Sequence, residues 1–333
     1  MNSIATPAFS TLDSLAQLNK AAGDALRLNI LRALANDSFG VLELAQIFAT
    51  TQSGMSHHLK VLAQACLVAT RREGNAIFYR RALPKAEHPH TALHSALLAS
   101  VDQCELEAAI SEQIELIHAQ RAAVSRDYFA RVADKFQAQQ DLIAGLEQYH
   151  DAVLNLLDTL SLPDNACAID VGSGDGRFLP ALAERFSRVI ALDNSPAMLE
   201  QAREHCHSAG LKHVKLLLAD ALQQPCAPAD CVVLNMVLHH LPAPAEALQA
   251  LSQLVKPGGH LLISELCPHD QAWARDACGD LWLGFEQEEL AQWASHAELA
   301  SGDSLYLGLR NGFQLQIRHF YRLPTADVST LRS

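Results

Sequence analysis

No apolar run in this 333-residue chain approaches the roughly 18 residues needed to span a bilayer, so no transmembrane segment and no membrane partner are expected. The amino terminus lacks the basic-then-apolar pattern of a secretory leader, and a cytoplasmic protein is expected. The eight cysteines (66, 104, 167, 206, 226, 231, 267 and 278) never form a CxxC pair. Several stand inside apolar runs, where a thiol acts as a small buried hydrophobe, so disulfides are not expected. Glycine is nearly missing from residues 91–160, where Gly145 stands alone, and that stretch reads as almost wholly helical. Basic residues are also scarce, 25 against 37 acidic ones, for a net charge of −12. The deficit is uneven. Residues 1–85 carry nine Lys/Arg against five Asp/Glu, and the remainder carries sixteen against thirty-two. Any polyanionic partner is therefore expected to meet the first quarter of the chain.

Where glycine does concentrate, it is patterned. In residues 166–176 a short apolar strand runs into a turn with Gly172, Gly174 and Gly176 at alternate positions, and a helix is expected from about Arg177. Such a turn permits positive φ and close approach of a ligand, at the carboxyl edge of a sheet where doubly wound folds hold nucleotide-like molecules. No Lys-Ser or Lys-Thr leads the helix, which disfavours a triphosphate P-loop. The apolar run 189–192 ends at Asp193, placed to accept from ribose hydroxyls, and a third strand from Val214 to Ala219 ends at Asp220. Alternating runs on either side of Asn311-Gly312 predict an antiparallel hairpin at the end.

Over about residues 140–323 this set resembles the class I S-adenosylmethionine (SAM) methyltransferases. The carriers are Asp170-x-Gly172-x-Gly174-x-Gly176, the two later acids, Asn235-Met236-Val237-Leu238-His239-His240-Leu241 and Lys256-Pro257-Gly258-Gly259. The resemblance implies SAM, or S-adenosylhomocysteine as effector, held by Asp170, Gly172, Ser173, Gly174, Gly176, Asp193, Asn194, Asp220, Ala221 and Asn235. It leaves the methyl acceptor open. Asn235-Met236-Val237 lacks the Pro-Pro turn of amino-directed DNA methyltransferases, and Pro225-Cys226 precedes the strand that a cytosine-5 nucleophile would follow. His239, His240, Glu265 and His269 are the candidate catalytic residues, although the His-His-Leu turn recurs in methyltransferases of many substrates and is often structural. Cys267 and Cys278 make arsenite methylation a remote alternative.

The first quarter reads differently. Residues 12–35 carry one helical apolar stripe, a second helix spans Val41 to Ala49, and a third starts at Ser53 as N-cap. Met55, Leu59 and Leu62 would pack inward, leaving Ser53, Ser56, His57 and Lys60 outside, a helix-turn-helix arrangement. Residues 67–72 and 76–81 alternate around Glu73-Gly74-Asn75 as a hairpin wing bearing Arg71, Arg72, Arg80 and Arg81. This order, with Ser56-His57-His58-Leu59-Lys60-Val61-Leu62, is similar to the ArsR-type repressors over about residues 15–85. The resemblance implies a homodimer on double-stranded operator DNA, with Gln52, Ser53, Ser56, His57, Lys60, Arg71, Arg72 and Arg80 at the interface. It also implies a helix after the wing that packs on its twin, here striped by Leu106, Ile110, Ile114 and Ile117, and an aromatic such as Tyr128 or Phe136 over the ligand. The thiolate pair of metal-sensing relatives is missing, and His88, His90 and His94 do not reproduce their spacing, so no metal is expected.

The expected architecture is α/β: a winged helix-turn-helix (α+β) over 1–88, a helical dimerisation and cap segment over 89–160, and a Rossmann-like class I methyltransferase sheet with an antiparallel last hairpin over 161–325. Two functions compete. One is transcriptional control in response to SAM or S-adenosylhomocysteine, with a small methyl acceptor possible in the same domain. The other is primarily a small-molecule SAM-dependent methyltransferase whose DNA binding is feedback.

Overall fold

The computed structural model describes residues 11–73, 76–84, 90–132 and 136–324, and the chain divides into two compact units, 1–119 and 120–333. In the first unit the stripe over 12–35 belongs to two helices, Thr11–Ala22 and Ala25–Ala33. Gly23 and Asp24 separate them, and the Asp24 carboxylate accepts from the Arg27 amide at 3.0 Å as an N-cap. The next helix, Val41–Ile47, stops short of Ala49, which takes a left-handed φ of 47°. The helix that follows, Gln52–Gln64, is capped by Thr51 instead of Ser53: the Thr51 hydroxyl accepts from the Gly54 amide at 3.2 Å. Its Met55, Leu59 and Leu62 are fully buried and share one core with Ile30, Leu31 and Phe39.

Strands β1 (Phe39–Gly40), β2 (Val68–Glu73) and β3 (Ala76–Arg81) form an antiparallel sheet in the order β1-β3-β2. The β2–β3 register runs from Val68 opposite Arg81 to Glu73 opposite Ala76, and the expected turn residues Gly74 and Asn75 lie outside the described residues. Helices Thr91–Asp102 and Ala108–Val132 follow. The second begins after Leu106, so its stripe starts at Ile110, and Ile117 joins Leu98 and Val101 in the core of the first unit.

The second unit is built on seven strands: β4 (Cys167–Val171), β5 (Arg188–Asp193), β6 (Val214–Leu218), β7 (Ala229–Asn235), β8 (Val255–Leu266), β9 (Leu299–Gly308) and β10 (Gln314–Arg322). Their order is β6-β5-β4-β7-β8-β10-β9. The first five are parallel, and β10 runs antiparallel to both β8 and β9, giving the expected final hairpin. β4 is buried at every position, because the core gathers side chains from helices Leu179–Ala183, Pro196–Ser208 and His150–Leu157 around it. A strand covered on both faces reads as a continuous apolar run, without alternation. The chain leaves β4 to one side for β5 and β6 and returns on its other side for β7. This reversal opens a crevice at the carboxyl ends of β4 and β7. No helix among the described residues is long and apolar enough to cross a membrane.

Candidate functional site

A cavity of about 250 Å³ occupies that crevice. Asp170, Gly172, Ser173, Gly174, Asp193, Asn194, Asp220, Ala221 and Asn235 all line it. Gly176 does not. A Cβ there would lie 3.0 Å from Cα and Cβ of Ala202, so this glycine admits the neighbouring helix, while at Gly172 (φ 66°) a Cβ would lie 2.6 Å from Val237 Cγ2.

Asp193, at the tip of β5, braces the loop: its carboxylate accepts from the Gly174 amide at 3.0 Å and from the Ser195 amide at 2.8 Å. Asp220 accepts from the Leu222 amide at 2.9 Å. Asp170 is 2% exposed, and burial, reinforced by the nearby Asp193 charge, pushes its pKa up to about 8. Burial also raises Asp193, against the amides that favour its charged form. Two polar atoms beside the glycine loop lack partners. Asn235 accepts from the Ser264 hydroxyl at 2.7 Å through Oδ1, yet its Nδ2 and the Ser173 hydroxyl are buried without a hydrogen bond. Unmade bonds of this kind are costly and point to a polar ligand that completes them.

Other walls come from Ser125, Arg126 and Phe129 on the helix Ala108–Val132, and from Gln140, Tyr149 and His240. The aromatic at the cavity is Phe129, whose ring stands 4.9 Å from that of His240. Tyr128 is turned away, its hydroxyl between Gln139 Oε1 at 2.7 Å and the Ala277 carbonyl, and the Phe136 side chain lies outside the described residues. Pattern alone does not choose Phe129 over its neighbour, since the helix phase about residue 128 decides it.

The four candidate catalytic residues separate. His240 lines the cavity; His239 and Glu265 are fully buried and not among its walls, with His239 Nδ1 2.6 Å from Glu265 Oε1. Burial disfavours charge on His239, but the Glu265 and Asp280 carboxylates outweigh it and raise its pKa. Burial, and then His239, hold His240 well below the ordinary range. His269 is elsewhere, its ring packed 4.7 Å from Phe313.

In the first unit Gln52, Ser53, Ser56, His57 and Lys60 are all exposed on one helix, opposite its buried stripe. His58 is half-buried, its Nδ1 3.8 Å from Asp24. The wing arginines differ among themselves. Arg72 is exposed and Arg80 half-buried, while Arg71 is ion-paired to the buried Glu73. Arg81 is tied to the Leu31 carbonyl at 2.6 Å and to both Asp102 oxygens at 3.0 and 2.7 Å. Of the histidines considered for metal sensing, His90 bonds the Ser14 hydroxyl at 2.9 Å, His94 is buried, and His88 lies outside the described residues.

Comparison with known proteins divides the chain in the same way. Residues 23–71 match a helix-turn-helix domain and residues 169–263 a methyltransferase domain. A ubiquinone biosynthesis O-methyltransferase from Leptothrix cholodnii is 33% identical over 143 residues, 41% of this chain and 60% of the relative. Its counterpart from Yersinia pestis is 32% identical over 117 residues, 34% of this chain and 48% of the relative. The chain thus spans about half the length of the curated relatives it matches. Magnesium protoporphyrin IX methyltransferase from Synechocystis, solved with bound S-adenosylhomocysteine, superposes with a TM-score of 0.51 at 17% identity. The match covers 60% of this chain and 99% of the other, and it shows the fold. The chain carries a helix-turn-helix domain and a methyltransferase domain of the class I fold, whose cofactor is SAM. The cavity fits it, with carboxylates for hydroxyl and ammonium groups, an unpartnered amide and hydroxyl, and apolar walls between them.

Proposed function

We propose that this chain is a DNA-binding regulator, acting in the cytoplasm as a homodimer on a two-fold operator. Its methyltransferase domain binds SAM or S-adenosylhomocysteine and transfers methyl to an oxygen of a small acceptor. The observation that carries this is the joint presence of a lined SAM cavity and a helix exposing Gln52, Ser53, Ser56, His57 and Lys60 in one chain. Short polar side chains on such a helix suit base edges in the major groove, and Lys60, Arg72 and Arg80 suit phosphates. Arg71 has the same part to play only if Glu73 releases it.

In the cavity, Asp193 takes the ribose hydroxyls, Asp220 and Ala221 flank the adenine, and Asp170 meets the positive end of the donor. SAM supplies an electrophilic methyl carbon when bound. Gly172 admits it by the absence of a side chain, and Asn235 offers its free Nδ2 donors. Phe129, Gln140 and His240 border the remaining space, where an acceptor is held in line and water excluded. The small-molecule acceptor is favoured by the O-methyltransferase relatives and by walls that hold no nucleic-acid methylation motif.

A regulatory role requires that the ligand prefer one DNA-binding state, and the coupling is then reciprocal. Calorimetric titration with SAM and with S-adenosylhomocysteine, with and without a promoter fragment from upstream of its own gene, tests both halves. A change in ligand affinity on DNA, matched by the same factor in DNA affinity, supports control by the ligand. Ligand binding with no such linkage leaves methyl transfer alone, and no binding of either ligand overturns the proposal.

A further inference from the structure

Beside the cavity, and apart from the atoms assigned to SAM, His239, His240 and Asp280 converge. Each offers one ligand atom, these atoms lie within 4.8 Å of one another, and all three residues are buried. We infer that this is a site for a divalent transition metal of the zinc class, bound by His239 Nε2, His240 Nδ1 and an Asp280 oxygen, with Glu265 as the outer partner of His239.

Glu265 is immobile. Its Oε2 accepts from the His239 amide at 3.1 Å, and its Oε1 accepts from the Leu266 amide at 2.6 Å and lies 2.6 Å from His239 Nδ1. A carboxylate so placed fixes the ring and turns Nε2 the other way, the usual arrangement behind a metal-bound histidine. Nε2 is fully buried and makes no hydrogen bond, and what it faces is Asp280 Oδ1 at 3.7 Å. That spacing suits two ligands of one ion: metal bonds of about 2.1 Å in a tetrahedral site set ligand atoms on the order of 3.4 Å apart.

His240 completes the set. Its Nδ1 is 3.9 Å from the same Asp280 oxygen, and 3.3 Å from the Gly279 carbonyl, a contact that metal binding would replace. Its Nε2 is 3.3 Å from Gln140 Nε2, while Gln140 Oε1 is buried without a partner. Turning the Gln140 amide over lets Oε1 accept from Nε2–H, which leaves the Nδ1 lone pair for the metal. Two nitrogens and one oxygen leave a fourth position. His240 lies on the cavity wall, so that position can open toward it, for water or an acceptor hydroxyl.

Chelator-stripped full-length protein, reloaded with Zn²⁺ and passed through gel filtration, is expected to retain one tightly held zinc per chain by elemental analysis. Asp280→Asn should lose it by on the order of 100-fold in affinity, and Glu265→Gln should weaken it by about 10–100-fold. With Co²⁺, X-ray absorption of the wild type should show two imidazoles and one carboxylate, which holds even if a variant fails to fold. Retention of equal metal by wild type and Asp280→Asn, or a wild-type shell without two imidazoles, overturns the inference. So does imidazole ¹⁵N NMR showing His239 doubly protonated in protein saturated with Zn²⁺. None of these readouts requires methyl transfer, so failure of the proposed function and failure of the metal site are distinguishable.

Discussion

Asp170→Asn tests the electrostatics of the SAM cavity most directly. The wild-type carboxyl is pushed from its ordinary 3.8 to about 8 by burial and by Asp193. The unfolded chain loses this proton near pH 4, and the folded, ligand-free chain near pH 8. Between those values the folded state holds more protons, so the Asp170 contribution to stability falls as pH rises, and it is flat above pH 8. At 1.36 kcal/mol for each tenfold, the cost at pH 7 is at most about 4 kcal/mol. Water in the adjoining cavity and side-chain relaxation reduce it, and half, about 2 kcal/mol, is the working figure. Asn keeps the shape and cannot ionise, so the ligand-free variant should melt about 4–8 °C above wild type at pH 7, given 2–4 °C per kcal/mol for a unit of this size. The gap should shrink toward pH 5 and widen toward pH 8. SAM binding should collapse in the same variant, because the carboxylate proposed to meet its cationic end is gone. Wild-type binding at pH 7 should release about 0.9 proton, read from calorimetry in buffers of different ionisation enthalpy. A variant that melts at or below wild type at pH 7, with a gap independent of pH, would refute the reasoning.

Asp193→Ala strips the acceptor from the Gly174 and Ser195 amides and should cost on the order of 100-fold in SAM affinity by calorimetry, while ligand-free operator binding in a gel shift stays nearly unchanged. Gly172→Ala forces a side chain onto positive φ and against Val237; SAM affinity should fall about tenfold or more, and adding Val237→Ala should recover the overlap but not the backbone strain. Lys60→Ala should weaken binding to all DNA sequences alike and reduce the salt slope of log K by about one, measured by anisotropy across salt concentrations. Arg81→Ala, which breaks the ties to Leu31 and Asp102, should cost the first unit about 2 kcal/mol in urea unfolding and leave operator affinity unchanged where the protein is folded.

The sheet was legible in the sequence because its parallel strands are short apolar runs: Asp193 ends the largely buried β5, and Asp220 follows β6, an edge strand whose residues are half-buried or exposed. The final hairpin was legible from Asn311-Gly312, a local signal. Helix boundaries were less so. The stripe over 12–35 hid the break at Gly23-Asp24, because the apolar phase on either side nearly matches and the cap lies in a single carboxylate. Thr51, not Ser53, caps the recognition helix, a choice between adjacent hydroxyls that pattern alone does not make. Arg71 reads as a DNA contact because it flanks a wing, yet Glu73 pairs with it in the fold, and its wing neighbour Arg81 pairs with Asp102; both pairings depend on register or on a helix far along the chain.

The three glycines of the loop show most clearly where sequence stops and packing begins. All three take positive φ, 66°, 54° and 82°, so alternation at 172, 174 and 176 correctly signals a backbone that only glycine enters easily. It does not say what comes close. Gly172 and Gly174 open onto the cavity, and a side chain at 172 would meet Val237 at its wall. Gly176 opens onto Ala202, and its task is to let the helix Pro196–Ser208 lie against the loop. The same division separates His239 from His240. They are adjacent in a turn and chemically identical, yet one is sealed against Glu265 and Asp280 and the other reaches the cavity. The motif therefore announces two histidines, while their division between ligand and scaffold is set by partners 26 and 41 positions away from His239, Glu265 and Asp280. For that reason substitution at Glu265, which touches no cavity wall, is a sharper probe of this site than substitution at His240, which would disturb wall, network and metal ligand together.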